Sequence, residues 1–457
     1  MRLSRVIGLI VVLTLVSSAL PQVGFAQGFN LDARRIGLGG AGNTNNIASK
    51  VIAEHQPYRV IPIPLGIFQL LDNRRFFDPD DPEFDPARAI EYAGNPMHFT
   101  LDRNSSSAGH RFVNDLVNAG FSRDLNAYRG FAPSPEIKAG GLFSPSWGKT
   151  FRVSGDASAG TSHGVFVGAG PYVSLGTALA VDPNLIEIWA SPVDVYRPNT
   201  QFLTQDVSTG QAAFAITGGY RGRFALAGIS STSSSRETGL HVAVNYNYLR
   251  GFHYESADLQ FRFDTDGGGL VTLLPSTNPV VANRATSHSG NGFSLDLATA
   301  VVTEKWDVGF GVDGIGNRIN WKDLSSRTYV LQNLFSGGEF VTTPGPPIPS
   351  ERRVELPVRF SGSGSYYTDR WSAAAQMGRD LQKRLDFNTG LEYWLGPVAV
   401  RGGTRYANKR WHGATGVGFN FTSKLGIDFA AFQNSANIEE DRKPSFAVSL
   451  RINRDKS

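Results

Sequence analysis

The sequence predicts an all-β protein: a transmembrane antiparallel β-barrel of up to about sixteen candidate strands with an N-terminal plug. Three observations predict it. A secretion signal opens the chain, no later stretch is apolar enough for a membrane helix, and segments alternating oily with polar residues repeat over its C-terminal two-thirds.

The signal comes first. Arg2 and Arg5 precede an apolar run from Val6 to Val16, and Gly24-Phe25-Ala26 ends in small residues before Gln27. A basic start, a short apolar stretch and a small-x-small site make a cleavable export signal over 1–26. The run is shorter than the roughly 20 residues a spanning helix needs. Downstream, Gly, Ser, Asp or Arg interrupts every apolar run. Only helices and closed barrels satisfy every backbone group in lipid, so the exported product is either soluble in the periplasm or a barrel.

Composition narrows the chemistry. With no cysteine among 457 residues, disulfides and thiolate sites are excluded. The net charge of +4 includes Arg2 and Arg5, and no acid precedes Gln27, so the exported chain carries two fewer positive charges. Such a balance gives no argument for nucleic acid. Gly at 51 residues and aromatics at 11% suit many short strands.

The strand pattern is clearest at the C-terminus. Phe446, Val448, Leu450 and Ile452 share one face, while Ser445, Ala447, Ser449 and Arg451 share the other. The same alternation covers 239–249, 306–313, 385–395, 398–406, 410–421 and 424–433. Segments near the 9–11 residues that cross a tilted bilayer favour a membrane barrel over a soluble sandwich. Connections also alternate. Those at Thr422-Ser423, Gly396-Pro397, 303–305 and 249–251 are tight, as are those near Lys383 and Asp369, and Ala407 to Lys409 is short. Those at 434–442, 322–353 and 265–290 are long and expected outside the cell. Trp306 and Trp371 follow tight turns, with Trp321 and Trp411 at the opposite ends, as two interfacial girdles require.

The barrel is expected over 134–457 and the plug over 27–133. Within the latter, 27–57 is glycine-rich, the prolines in 58–71 argue against a ladder, and Arg111 to Asn118 gives a short helical signal. Residues 177–200 suggest a short helix in an outer loop, ended by Pro192.

Candidate site residues lie on the polar faces. If Gly396-Pro397 is a two-residue turn, Glu392 stands across from Arg401 and Asn388 across from Arg405, facing the lumen together with Asp428. Asp296, Asp307, Asp313, Arg359 and Asp386 fall on polar faces too. The mixture of signs does not describe a selective pore, and such ladders more often brace a barrel wall. Gly39-Gly40-Ala41-Gly42 is no phosphate cradle, because no Lys-Ser/Thr follows. Asp78 to Asp85 and Asp264 to Gly267 lack calcium-loop spacing, the eight histidines show no metal spacing, and there is no Gly-x-Ser-x-Gly elbow. No enzyme activity, metal or cofactor is expected.

Gln27 to Leu31, followed by Arg35-Ile36-Gly37-Leu38-Gly39-Gly40-Ala41-Gly42, resembles the mature start of the long-chain fatty-acid outer-membrane transporters (FadL type) and of related secretion-accessory barrels. Leu356 to Arg359, Leu391 to Trp394, Val400 to Gly403, Gly413 to Phe419 and Ile427 to Phe429 resemble the same superfamily. The resemblance implies a barrel of about fourteen strands closed by an N-terminal hatch, two of the sixteen candidates then belonging to loop or plug, with Gly37, Gly39, Gly40 and Gly42 in the hatch. It further implies transport of hydrophobic, fatty-acid-like molecules across the outer membrane, with membrane lipids and that substrate as partners. The alternative is a non-transporting scaffold or secretion or conjugation accessory, binding a surface or secreted protein through loops 177–210, 265–290 and 322–353.

Overall fold

The computed structural model describes residues 32–41, 47–54, 58–63, 120–131, 135–144, 147–155, 160–226, 237–272, 280–332, 339–379, 385–407, 410–433 and 444–453, with four more between 108 and 115. The export signal, Gln27 to Leu31, Gly42, the 78–85 acidic stretch, most of 111–118 and the 434–442 loop lie outside the described residues.

All strands join one antiparallel sheet. It begins with β1 (Tyr58–Ile63), β2 (Glu136–Phe143), β3 (Trp147–Ser154), β4 (Ser162–Ala180), β5 (Gln201–Phe224) and β6 (Gly239–Thr265). There follow β7 (Val271–Thr272), β8 (Val280–Ser287), β9 (Ser289–Val302), β10 (Trp306–Lys322), β11 (Ser325–Gln332), β12 (Glu339–Pro344), β13 (Arg352–Glu355) and β14 (Arg359–Tyr367). The meander ends with β15 (Trp371–Arg379), β16 (Leu385–Leu395), β17 (Val398–Ala407), β18 (Arg410–Asn420), β19 (Leu425–Gln433) and β20 (Pro444–Asn453).

Several strands are pieces of one interrupted row. Both β2 and β3 pair with β4, β8 and β9 with β6, and β12 to β14 with the β10–β11 row. Counting these as single rows and leaving out the two-residue β7, the twenty strands among the described residues make fourteen rows. Among the described residues no pairing joins β1 to β2 or β3, so these remain the two edges of the sheet.

Several expectations need correction. The prolines of 58–71 do not keep that stretch out of the ladder, because Tyr58–Ile63 pairs with β20, Pro62 opposite Ser449. An edge strand tolerates a proline, since its other side needs no donor. Residues 249–251 are not a turn but the middle of β6. Gly251 serves there as a gap for an indole: a Cβ on it would lie 2.5 Å from Cη2 of Trp321. Finally, Trp321 is no girdle residue. It lies an odd number of residues from Trp306 with two register shifts between them that cancel, hence on the opposite face. It is fully buried, stacks on Tyr254 at 5.4 Å and donates from Nε1 to Oε1 of Gln211 at 3.1 Å. Gly251→Val is expected to break this stack and cost about 1–3 kcal/mol as overpacking. Unfolding in detergent followed by tryptophan fluorescence measures it.

The two faces differ sharply. One, here the belt face, carries exposed Val165, Val167, Phe214, Ile216, Tyr246, Tyr248, Trp306, Val308, Phe310, Leu391, Tyr393 and Phe429. Trp306, Tyr366 and Trp371 cluster at its tight-turn end, and Tyr406 with Trp411 at the other. The opposite or helix face receives α1 (Ala33–Gly37) and α2 (Ile47–Glu54).

Beyond the belt, the sheet continues as a separate layer. In the unbulged β4, Leu179 has the same parity as Val165 and Val167, so it lies on the belt face, yet it is buried. Above the bulge near Gly251, Leu259, Phe261 and Phe263 take up that face. They are covered by Phe112, Phe121, Leu125 and Tyr128, and by Leu185, Ile188 and Trp189 of α3 (Pro183–Ala190). The helix expected in 177–200 therefore exists, and it ends just before Pro192. Residues 120–131, grouped by the sequence with the plug, pack here and not beside α1. Burial pushes the Tyr128 hydroxyl up, keeping it a neutral donor to Asp115 Oδ2 at 2.9 Å. The stretches 265–290 and 322–353 are not simple loops, since β8, β11, β12 and part of β13 lie within them.

Candidate functional site

The tight turn at Gly396-Pro397 sets the register of β16 and β17. Leu395 pairs with Val398, which places Glu392 opposite Arg401 and Asn388 opposite Arg405. Gly396 takes φ +63, a conformation glycine adopts without strain. All four side chains are buried on the helix face.

Around Glu392 the charges form a closed network. Its Oε2 accepts from Arg401 Nε at 2.5 Å and from Arg34 Nε at 2.9 Å. Its Oε1 accepts from Arg34 Nη2 at 2.6 Å and from Trp394 Nε1 at 3.1 Å. Arg401 reaches on to Asp428, Nη2 to Oδ1 at 2.8 Å, and Arg451 Nη2 lies 3.6 Å from the same oxygen. Arg451 also donates to Asn420 Oδ1 at 2.9 Å and lies over the Trp394 ring at 4.9 Å. Three arginines thus surround two carboxylates, and the Glu392, Arg401 and Asp428 side chains are at most 1% exposed. A network sealed so completely leaves no aqueous path through itself. Arg405, by contrast, pairs with Asp386 (2.9 and 3.1 Å), diagonal to it, and not with Asn388.

Arg34 and Arg451 complete the site and were not among the sequence candidates. The sequence places Arg451 on a polar face without marking it as a site residue, and for Arg34 it offers the doubled Arg34-Arg35 two residues after Asp32. Asp32 caps α1, accepting from the Arg34 and Arg35 amides at 3.0 and 3.4 Å. That turn directs Arg34 at the sheet, while the Ala33 amide donates to Ser449 Oγ at 3.2 Å. Ile36 and Ala33 pack on Ala430 and Ala447.

Glycines let the N-terminal segment lie against the strands. A Cβ on Gly390 would sit 2.5 Å from the Leu38 carbonyl oxygen, and one on Gly403 would collide with the Leu38–Gly39 backbone. Gly37 meets Gly416: a Cβ on the former would be 3.1 Å from the latter's Cα. Gly39 and Gly40, at φ +68 and +86, turn the chain away after α1. Further along, α2 seats Ile47 and Ala48 on Gly311 and Ile52 on Gly309, and Asp313 Oδ1 accepts from the Ile47 amide at 2.9 Å. Both helices contact the sheet near its tight-turn end. Toward the other end, the helix face carries an apolar cluster of Tyr172, Leu249, Tyr254, Ile319 and Trp321.

No family model matches this chain, and no curated relative matches it. Among solved structures, a Rhodopseudomonas blastica porin triple mutant superposes with a TM-score of 0.23 at 7% identity, covering 69% of this chain and 99% of that one. A TodX monoaromatic hydrocarbon channel mutant superposes at 0.26 with 11% identity, covering 71% of this chain and 91% of that one. Superpositions this loose bear on no residue of this chain. Its own geometry is that of an all-β antiparallel sheet with an exposed apolar belt on one face and its N-terminal segment latched to the other.

Proposed function

We propose that this chain is an outer-membrane β-barrel, its edges β1 and β2–β3 meeting, that passes hydrophobic small molecules and is plugged by α1 and α2 at its periplasmic end. The inverted polarity of the sheet carries this reading. Glu392, Arg401, Asp428 and Arg451 are buried, while Leu391, Tyr393, Val400 and Phe429 on the same strands are exposed. In water that arrangement is unfavourable, because each large apolar side chain is worth about 1.5–3 kcal/mol when removed from water. Lipid supplies the missing cover.

Two further observations support the details. The belt stays bare only where no chain covers it, and beyond it the same face is buried under residues 120–131 and α3, as expected where lipid gives way to water. The turns at 303–305, 368–370, 396–397 and 421–424 lie at one end, where β1 enters and β20 leaves. The apolar cluster around Trp321 supports a hydrophobic cargo, and Glu392 and its partners serve as the latch of the plug rather than as a cargo site.

Phe310→Arg is expected to destabilise the folded, lipid-inserted state by about 2–4 kcal/mol, as for charges at a bilayer midplane. Urea titration of folding into phospholipid vesicles measures this, and an unchanged midpoint would sink the membrane assignment. In a planar bilayer the wild-type protein should be electrically silent. Steady conductance would replace the plugged transporter by an open pore. Silence with no binding of hydrophobic ligands would favour the scaffold.

A further inference from the structure

We propose that the belt face carries, at its loop-side edge, a docking site for the phosphorylated headgroups of outer-leaflet lipids, built on Arg250, Arg318 and Arg353. This rests on the reading of the sheet as an outer-membrane barrel. The strand registers place the three arginines. One cross-strand row runs Ile216, Tyr248, Phe293, Arg318, Glu355, and the next runs Phe214, Arg250, Asn291, Asn320, Arg353. Since Ile216, Tyr248 and Phe214 are exposed belt residues, every member of these rows faces the same way.

The height of the rows matters as much as their face. Below them lie Val308 and Phe310, bare and apolar. Further along β6, past His253, Glu255 and Ala257, residues Leu259 to Phe263 are buried under the loop-side layer. The arginines occupy the band between, which in a bilayer is the headgroup zone. Arg318 lies over the Phe293 ring at 4.6 Å, and that ring stacks on Tyr246 at 5.9 Å. Its guanidinium group thus stacks on an aromatic ring of the belt face, which holds the cation at the edge of the apolar surface.

The same band continues into a cleft of about 250 Å³ that includes Arg284, His288 and Arg327. Two acids oppose the five arginines. Glu255 holds Arg284 at 2.7 and 2.9 Å, with His253 Nε2 at 3.5 Å, and Glu355 pairs with Arg353. Cations therefore exceed acids here. A planar guanidinium fork matches phosphate better than it matches any neutral headgroup.

The test uses the full-length protein in zwitterionic detergent, titrated with a bis-phosphorylated lipid A, with the same lipid dephosphorylated, and with inorganic phosphate. The phosphorylated lipid should bind saturably and at least about tenfold more tightly than its dephosphorylated counterpart. The triple variant Arg250→Gln, Arg318→Gln, Arg353→Gln should weaken that binding on the order of a hundredfold, about fivefold per cation near an anionic surface. Equal binding of the two lipids, or a variant that binds like wild type, overturns the proposal, and equally tight binding of inorganic phosphate overturns its assignment to lipid. Should the triple variant fail to fold, the lipid pair on the wild-type protein decides. Insertion into vesicles, read by heat-dependent electrophoretic mobility, separates the two ideas. A protein that inserts but ignores lipid phosphate loses only this site, and one that does not insert loses the barrel reading as well.

Discussion

Glu392→Ala is expected to lower the stability of the folded protein by about 3–5 kcal/mol and to make a silent membrane conduct. The first effect follows from burial. Glu392 accepts from Arg34 and Arg401, and both guanidinium groups are nearly inaccessible to water. A buried ion network adds little net stability over apolar packing, but deleting one member strands the others without compensation. Asp428 would remain for Arg401, whereas Arg34 would lose both of its hydrogen bonds to the β16 carboxylate. The second effect follows from location, since Arg34 belongs to α1 and Glu392 to the sheet. Arg34 can regain solvation only by pulling α1 off the strands. Thermal unfolding in detergent and single-channel recording in planar bilayers measure the two effects. A stable but conducting variant would separate the latch from stability. A stable and silent one would mean that glycine contacts alone hold the plug.

The glycine contacts predict an effect of comparable size with a built-in control. Gly403→Val should expel the segment Ile36 to Gly40 from the sheet, because the new Cβ would occupy the place of the Leu38–Gly39 peptide. Backbone cannot yield as a flexible side-chain tip can, so the helix must move as a body. Gly402, its neighbour, points to the other face and has open space where a Cβ would be, so Gly402→Val should be tolerated. On the proposed reading it would even add to the lipid-facing belt. Cysteine labelling at Ile36 and limited proteolysis of the N-terminal segment give the readout: Gly403→Val exposes both, and Gly402→Val neither. Equal behaviour of the pair would sink the docking of α1 on this face.

Much of this was legible along the chain. Period-two alternation separates Leu391 and Tyr393 from Glu392 wherever the strand goes, because adjacent side chains point to opposite faces. The two-residue turn at Gly396-Pro397 then fixes which residue opposes which, and the Glu392–Arg401 pair follows from counting. The same counting failed at 249–251, where a glycine made room for Trp321 instead of turning the chain. It could not anticipate that Arg405 would choose Asp386 over Asn388, since a long guanidinium stem reaches diagonal neighbours as readily as direct ones.

Local rules of alternation and turn chemistry act over two to four residues, so the sequence by itself determined the strands, their faces and the tight connections. Contacts between distant segments obey no such spacing. Arg34 finds Glu392 across 358 positions, and Ala33 finds Ser449 across 416. Only the tertiary structure decided that the doubled arginine is half of a latch, that Gly390, Gly403 and Gly416 form its seat, and that residues 120–131 cover the sheet's far end instead of joining the plug. In each case the deciding quantity is whether a buried charge, a backbone approach or an apolar face meets its complement, and that depends on where the folded sheet brings the segments together.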